Sequence, residues 1–414
     1  MKHVSSNNLN KKMYNKNRKS LLGSYKIIQH VSSKIIGLAP WTLKVSSIFS
    51  DREQIPNRNI TYSSSFIGIV YNIILFLGIA SFGIYKMIVN AMNQRFSNSL
   101  LAMTIYQLLF VTLINASFIP LIYFIQQKSM MKAINNLKIV DFLLNQCKDY
   151  TLESDYTNDV IYAINVLMNF GLITSDLFTS SVISVLFESI PSIISSGVMI
   201  QYAIQLNKMN RRFSSINSAF SKLGNHNLKS DINYVPSETQ VVQSRALILA
   251  IDITKKAYIE LCEMCEMITD FYGIPILIAI FSFSVRALFT VYILILSIVK
   301  SQFFIISWYL LTIRIIFAIF LFTTLTCSVT TIAKQNKRLA LTINHQTDLP
   351  EIDEKVEKNL LKFASDLRHL KIEVTACNII PLDRTLLSIV TGTIATYLVI
   401  GVQFALSSRP TRNN

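Results

Sequence analysis

The chain has 414 residues, of which 51% are hydrophobic and 15% are charged, and its formal net charge is +15. The charges lie in blocks, and the uncharged stretches between them, such as residues 101–125 and 385–408, reach the length of about 20 residues that a membrane-spanning helix needs. A soluble protein distributes its charges more evenly, and a nucleic-acid-binding surface interleaves basic with aromatic residues. The composition therefore excludes both classes and predicts an all-α, polytopic membrane protein.

The first 64 residues are basic and contain no early apolar stretch, so we expect no cleaved signal peptide. Seven membrane spans follow. They are predicted at Ser65–Val89, Leu101–Ile125, Val160–Ser181, Val182–Leu206, Tyr272–Ile298, Phe303–Ile332 and Arg384–Ser407. The predicted organisation is an N-terminal segment (residues 1–64), spans one to four (65–206), a helical extension (207–271), spans five and six (272–332), a loop with an amphipathic anchor helix (333–383), span seven (384–408) and a tail (409–414).

Lysine and arginine are concentrated before span one and in the connections that follow spans two, four and six. Because such residues accumulate on the cytosolic side of a membrane protein, the pattern predicts a cytosolic N-terminus and an extracellular C-terminus. Two long segments on the cytosolic side are predicted to be helical, Gln240–Met267 and the amphipathic Glu354–Val374. We expect the later spans to extend into the cytosol and to pack there, with these segments, as an anchor.

The five cysteines and five histidines do not form a recognisable site. Cys262 and Cys265 have the spacing of half a zinc site, but no second pair and no nearby histidine accompany them, so we interpret them as inward-facing thiols on a helix. Neither a nucleophile motif nor a pair of broken repeat helices is present. The sequence therefore predicts no metal, no cofactor and no enzymatic activity, and it disfavours a transporter.

Span seven carries one face of unusual composition, which reads Thr393, Thr396, Ile400, Gln403 and Ser407. In a symmetric assembly this face would line an axial pore, with Ile400 as a hydrophobic constriction and Gln403 as a ring of amide dipoles. Intramembrane amides also join neighbouring helices. The helix alone leaves both interpretations of Gln403 open.

The end of the chain resembles the C-terminus of the insect gustatory receptors. The resemblance lies in Ala376-Cys377-Asn378-Ile379-Ile380-Pro381-Leu382-Asp383-x-Thr385-Leu386-Leu387 and, further on, in Thr396-Tyr397 and Gln403-Phe404. The chain departs from the family at Asn378, where many relatives have glycine, and at Gly401, which is often bulkier. These departures leave the helix entry and the pore width open.

The resemblance implies a ligand-gated, nonselective cation channel of four subunits in the plasma membrane of chemosensory neurons. Its subunits would be copies of the chain or related receptors, its partners would be a small-molecule tastant, cations and lipid, and nucleic acid would not be among them. By position, the resemblance matches Ile400 and Gln403 to the gate and pore-lining sites. The predicted pore and gate residues are Thr393, Thr396, Ile400, Gln403, Phe404 and Ser407, and the family motif is Thr396, Tyr397, Gln403 and Phe404.

Four charged residues, Asp176, Glu188, Arg286 and Arg314, lie inside predicted spans, where charges are costly and often functional. The family holds its ligand in an outward-facing cavity. We therefore predict a ligand pocket made of Gln107, Asp176, Glu188, Trp308 and Tyr309. The alternative is that an arginine pairs with a carboxylate to hold the bundle together. The ligand is predicted to be either a sugar such as fructose or a bitter compound.

Two other classes of receptor compete with this interpretation. A G-protein-coupled receptor would have an external N-terminus and an Asn-Pro-x-x-Tyr motif in span seven, and neither is predicted here. An odorant receptor or an obligate co-receptor would share the architecture. The complete Thr396-Tyr397 and Gln403-Phe404 motif favours the gustatory branch.

Overall fold

The structure is a computed structural model that describes residues 27–46, 59–94, 113, 116–146, 156–179, 182–229, 237–299, 305–347, 354–370 and 372–407. This part of the chain is almost wholly helical. Its helices are α1 (residues 27–35), α2 (Phe66–Gln94), α3 (Ala116–Ile125), α4 (Gln127–Asn145), α5 (Thr157–Thr179), α6 (Val182–Lys229), α7 (Ser237–Val299), α8 (Ile305–Thr347), α9 (Glu354–His369) and α10 (Thr385–Ser407). Two short antiparallel hairpins pair β1 (Thr42–Ser46) with β2 (Asn59–Ser63) and β3 (Thr375–Ala376) with β4 (Ile380–Pro381).

Within the described residues, five helical stretches are long and apolar enough to cross a membrane, at Phe66–Tyr85, Thr157–Leu177, Arg245–Ile295, Leu311–His345 and Thr385–Gln403. They match predicted spans one, three, five, six and seven. Predicted span four is the first half of α6, while most of predicted span two lies outside the described residues. The chain is a multi-pass membrane protein.

Three consecutive helices, α6, α7 and α8, are much longer than a bilayer is thick. The longest, α7, has 63 residues and runs without a break through Pro275, so it joins the predicted segment Gln240–Met267 to predicted span five. At a rise of about 1.5 Å per residue it is about 95 Å long, whereas the hydrocarbon core of a bilayer is about 30 Å thick. The prediction that the later spans extend well beyond the membrane is confirmed.

These extensions pack with α9 into an anchor bundle, which we define as residues 207–229, 237–271, 333–347 and 354–369. Phe363 of α9 is fully buried, and its ring lies 5.5 Å from that of Phe220 and 6.0 Å from that of Tyr258. The Tyr258 hydroxyl donates to Oδ1 of Asn336 at 2.6 Å, which ties α7 to α8. The apolar face predicted for α9 is thus buried against three other helices. Cys262 and Cys265 are also buried in this bundle, which agrees with the interpretation that both face inward from their helix.

The prediction that α9 continues to Val374 is wrong, because the helix ends at His369. The backbone carbonyl of Leu370 accepts a hydrogen bond from the Asn336 side chain at 3.3 Å. The carbonyl of Val374 accepts the N–H of Leu382 at 3.2 Å, a partner eight residues further along instead of the four that a helix requires. The tertiary contacts of the β3–β4 hairpin therefore replace the last predicted turn of the helix.

The β3–β4 hairpin was not predicted, and its turn explains one departure from the family pattern. The N–H of Ile379 donates to the carbonyl of Ala376 at 3.0 Å, and the two central residues, Cys377 and Asn378, have φ of +53° and +58°. A type I′ turn requires positive φ at both of its central residues, as Cys377 and Asn378 have here. Asparagine is among the few residues other than glycine that adopt this conformation readily, so Asn378 preserves the backbone that glycine would give.

The segment before the first span is also part of the folded core. Leu38, Ala39 and Trp41 are buried. The Asn72 side chain donates to the carbonyls of Gly37 at 2.8 Å and Pro120 at 2.9 Å, and so joins this segment to α2 and α3. Residues 27–46 therefore fix the relative positions of the helices around them.

Candidate ligand cavity and pore helix

A cavity of about 140 Å³ lies between α5, α6, α7 and α8, inside the membrane-spanning half of the bundle. Its described lining comes from all four helices: Asn169, Leu172, Ile173 and Asp176 from α5, Ser189, Ser192 and Ile193 from α6, Phe283, Arg286, Ala287, Phe289, Thr290 and Ile293 from α7, and Leu311, Arg314, Phe317 and Ala318 from α8. Because four separate helices contribute to its wall, the cavity depends on the packing of the whole bundle.

One ion pair forms the most polar part of the cavity wall. Nη2 of Arg314 donates to Oδ1 of Asp176 at 2.7 Å, between α8 and α5. The Asp176 side chain is only 8% exposed, whereas the Arg314 side chain is 34% exposed. The alternative interpretation, in which an arginine pairs with a carboxylate across the bundle, is thus realised for this pair. Both partners also line the cavity, so a structural and a ligand-binding role do not exclude each other.

Two further polar side chains of the lining, Asn169 and Thr290, bond to neighbouring helices or to their own helix. Nδ2 of Asn169 donates to the carbonyl of Asn165 at 2.8 Å and to Oγ of Ser196 at 3.1 Å. The Thr290 hydroxyl donates to the carbonyl of Arg286, one turn earlier, at 2.8 Å. These bonds satisfy polar groups that would otherwise be costly to bury.

The rest of the wall is apolar and contains several aromatic rings. Phe283 and Phe317 meet edge to face with their centroids 6.1 Å apart, and both side chains are almost completely buried. Their contact links α7 to α8 in the wall of the cavity. The cavity wall is therefore predominantly apolar, and its charged side chains are the Asp176–Arg314 pair and Arg286.

The structure brings together only some of the predicted ligand-binding residues. Asp176 lines the cavity, while Tyr309 of α8 is 66% exposed and is not part of the described lining. Gln107 lies outside the described residues. Glu188 and Trp308 lie on α6 and α8, but their side chains lie outside the description. Apart from the position of Asp176, this set of residues remains a prediction.

Sequence reasoning did not find the apolar walls of the cavity. Phe283, Phe289 and Phe317 carry no mark in the sequence that separates them from lipid-facing or packing residues, which are equally apolar. Arg286 was noted as an intramembrane charge without a place in the predicted pocket, and the structure places it on the cavity surface. The helical periodicity of α7 and α8 shows which residues share a face of each helix. It does not show which of these faces lines a cavity.

The last helix, α10, packs against the chain along one narrow stripe. Leu387, Val390, Ile394, Leu398 and Gly401 are partly buried, and these positions share one face. An added Cβ at Gly401 would lie 3.2 Å from the ring of Tyr292 on α7, so this glycine provides room for the aromatic ring. The second departure from the family pattern is thus a helix-packing site between α10 and α7.

The predicted pore face lies on the other side of α10. Thr393, Thr396, Ile400 and Gln403 are all exposed, whereas the side chains of Phe404 and Ser407 lie outside the description. The hydroxyls of Thr393 and Thr396 donate to carbonyls of their own helix at 2.8 and 3.0 Å. A single chain therefore presents a continuous face of mixed polarity that none of its own described helices covers.

The first turn of α10 is stabilised by an acidic residue. Oδ1 of Asp383 accepts the backbone N–H of Thr385 at 2.9 Å and its hydroxyl at 2.5 Å. These hydrogen bonds favour the carboxylate and lower the pKa of Asp383 below its ordinary value of 3.8. The negative charge also suits the positive end of the helix dipole. The helix thus has a well-defined start directly after β4.

The β3–β4 hairpin connects this start to α7. A Cβ added at Gly273 of α7 would lie 3.3 Å from both the backbone nitrogen and Sγ of Cys377. Only a residue without a side chain allows the turn to approach the helix this closely. Tyr272, the neighbour of Gly273, is fully buried against Phe271, with ring centroids 4.9 Å apart. The turn before α10 is therefore seated on a rigid part of α7.

Together, the long membrane helices, the internal cavity and the lightly packed last helix define a multi-pass helical membrane protein with room for a small molecule. The family model described as 7tm Chemosensory receptor matches residues 28–408. The chain belongs to this chemosensory receptor family, which confirms the family membership predicted from its C-terminal motif. No curated protein sequence matches the chain.

Two solved structures have a similar fold. One is the insect olfactory receptor OR5 from Machilis hrabei, with a TM-score of 0.61, 10% sequence identity, and coverage of 92% of this chain and 98% of that one. The other is the same receptor in complex with eugenol, with a TM-score of 0.60, 12% identity, and coverage of 93% and 98%. At these identities the similarity establishes the fold.

Proposed function

We propose that the chain is a gustatory receptor that acts as a tastant-gated, nonselective cation channel rather than as an enzyme. In this proposal four subunits, identical or related, surround one pore lined by α10, in the plasma membrane of chemosensory neurons. The N-terminus and the anchor bundle are cytosolic and the C-terminus is extracellular, as the distribution of lysine and arginine favours. The Thr396-Tyr397 and Gln403-Phe404 motif favours the gustatory over the olfactory branch.

The observation that carries the proposal is the exposed face of α10. A side-chain amide in contact with hydrocarbon is costly, because nothing there replaces its hydrogen bonds to water. The Gln403 amide therefore needs either another protein surface or water. Four copies of α10 arranged around an axis provide both, since Gln403 faces an aqueous lumen and the apolar neighbours such as Val399 meet the next subunit or lipid.

The cavity supports the ligand-gated part of the proposal. It lies on α7 and α8, and α7 also carries Tyr292, which packs against Gly401 of the pore helix. A ligand that changes the packing of α7 therefore acts on a helix in direct contact with α10. The related receptor OR5 has been solved with eugenol bound, which makes a small organic ligand a reasonable expectation for this chain too.

The proposal is tested by expressing the full chain alone in cells that lack other chemoreceptors. A panel of sugars, bitter compounds and volatile aromatics is applied during calcium imaging and whole-cell recording. We expect at least one compound to evoke a cation current that reverses near 0 mV. Currents that require a co-expressed receptor would favour the co-receptor alternative, and a response abolished by blocking G proteins would contradict a channel.

A further inference from the structure

We propose that the cavity takes a ligand with one ring-sized apolar body and a hydrogen-bond-accepting group at one end, such as a simple phenol or benzyl alcohol, and that it does not take a sugar. The inference deepens the proposed function, since it names the ligand class of the site proposed to open the channel. It is argued from the size of the cavity, the distribution of its polar groups and the exposure of the Asp176–Arg314 pair.

The size of the cavity limits the ligand to about one ring. Its volume is about 140 Å³, and an engineered apolar cavity of about 150 Å³ in another protein holds one benzene molecule. A monosaccharide is bulkier than benzene and a disaccharide has twice the bulk of a monosaccharide. Neither fits without an expansion of the space between four packed helices.

Most of the cavity wall is apolar, and its polar side chains besides the ion pair are Asn169, Ser189, Ser192, Arg286 and Thr290. Phe283, Phe289 and Ile293 on α7 offer no hydrogen bond, and the Asn169 amide is already bonded to Asn165 and Ser196. A sugar carries hydroxyls all around its ring, and those that face apolar walls would lose their hydrogen bonds to water without replacement. A ring with a single polar substituent avoids that loss.

The ion pair indicates which end of the ligand faces it. Asp176 is nearly buried, whereas one third of the Arg314 side chain is exposed, so the guanidinium is the member of the pair that a ligand reaches. A guanidinium only donates hydrogen bonds. The ligand therefore presents an acceptor, such as a hydroxyl or carbonyl oxygen, to Arg314, and Asp176 acts as a positioning residue that holds the guanidinium.

The experiment measures binding separately from channel activity. Purified full-length receptor is titrated with phenol and a series of 4-alkylphenols of increasing chain length, and with fructose and sucrose, and the ligand-dependent rise in melting temperature is recorded. Ala287→Leu reduces the cavity, and Phe289→Ala enlarges it. Gly78→Leu is the matched control for an added side chain, because a Cβ at Gly78 on α2 meets open space.

We expect the affinity to be highest at one alkyl chain length of the 4-alkylphenols. That chain length should be shorter in Ala287→Leu and longer in Phe289→Ala than in the wild type. Because one methylene group too many or too few in an apolar pocket changes affinity by about 10-fold to 200-fold, each variant moves the dissociation constant of the best wild-type phenol by at least tenfold. Gly78→Leu leaves the series unchanged. If Ala287→Leu does not fold, the shift in Phe289→Ala decides the question.

Two results would overturn the inference. One is stabilisation by fructose or sucrose without stabilisation by any phenol, and the other is phenol binding with the same optimum in all variants, which would place the ligand elsewhere. Channel recordings separate this inference from the proposed function. Phenol binding with shifted optima but without current supports the ligand class and contradicts the channel, whereas sugar-evoked currents without phenol binding support the channel and contradict the ligand class.

Discussion

Arg314 on α8 and Asp176 on α5 form an ion pair with 2.7 Å between Nη2 and Oδ1, at a cavity that four membrane helices enclose. The pair connects two helices that are far apart in sequence, and its carboxylate is almost completely buried. A pair in this position holds the bundle together and at the same time gives the cavity its most polar surface. Its two roles can be separated by experiment.

Arg314→Leu is expected to destabilise the receptor by up to about 3–5 kcal/mol, because it removes the guanidinium that pairs with the nearly buried Asp176 carboxylate. The double substitution Asp176→Leu with Arg314→Leu should recover most of that loss, since replacing both members of a buried pair by apolar residues is often neutral. Melting temperatures of the purified variants in one detergent measure the difference. A double variant that is less stable than Arg314→Leu would show that the pair is not the main interaction of these side chains.

Gly273→Leu is expected to lower stability and to alter gating, because the new side chain would displace the turn at Cys377 that leads into α10. The physical cause is the distance of 3.3 Å that already separates a Cβ at this position from the backbone and sulfur of the turn. Ligand dose–response curves and basal currents measure the effect. Gly78→Leu serves as the control, and identical curves for Gly273→Leu and the wild type would mean that the hairpin does not influence α10.

Asn378→Val is expected to destabilise the hairpin by about 1–2 kcal/mol, since the residue adopts φ of +58° and left-handed backbone has a cost of that size for residues other than glycine. Asn378→Gly should be nearly neutral or slightly stabilising. Surface expression and melting temperature of the two variants provide the comparison. Equal stability of the valine and glycine variants would argue against the type I′ turn.

Asp383→Ala is expected to cost about 1 kcal/mol, as for other residues that cap a helix start, whereas Asp383→Asn should retain much of the stability. The pKa of Asp383 is lowered in the folded protein, so its contribution is fully present above pH 3.8 and is lost as the pH falls through the lower, folded value. The stability difference between wild type and Asp383→Ala should therefore stay constant from pH 7 to pH 5. A difference that already declines in this range would show that the carboxylate is not stabilised as the hydrogen bonds indicate.

Most of the helical architecture was predictable from hydrophobic periodicity and charge. The continuous course of α7 and the burial of Phe363 in the anchor bundle follow from apolar residues at helical spacing, which long helices repeat many times. The exposed side of α10, with Thr393 and Gln403, was predictable for the same reason.

The β3–β4 hairpin and the cavity were not predictable in this way. Strands of two residues, such as Thr375–Ala376, are too short to show alternation, and their turn is built from Cys377 and Asn378 instead of the usual glycine. The limits of the cavity depend on how α5 and α8 approach each other, and the contact between Asp176 and Arg314 spans 138 residues of sequence. Long-range contacts of this kind leave no local pattern.

The most direct test of the proposed channel is the ion permeability of receptors altered at Gln403. In the pore, Gln403→Glu places a ring of negative charge around the ion path, whereas Gln403→Met keeps the side-chain length and removes the amide. We predict that, at equal surface expression, Gln403→Glu raises the permeability of calcium relative to sodium, measured as a positive shift of the reversal potential under bi-ionic conditions, and that Gln403→Met does not. Identical reversal potentials in wild type and Gln403→Glu would contradict a pore lined by α10.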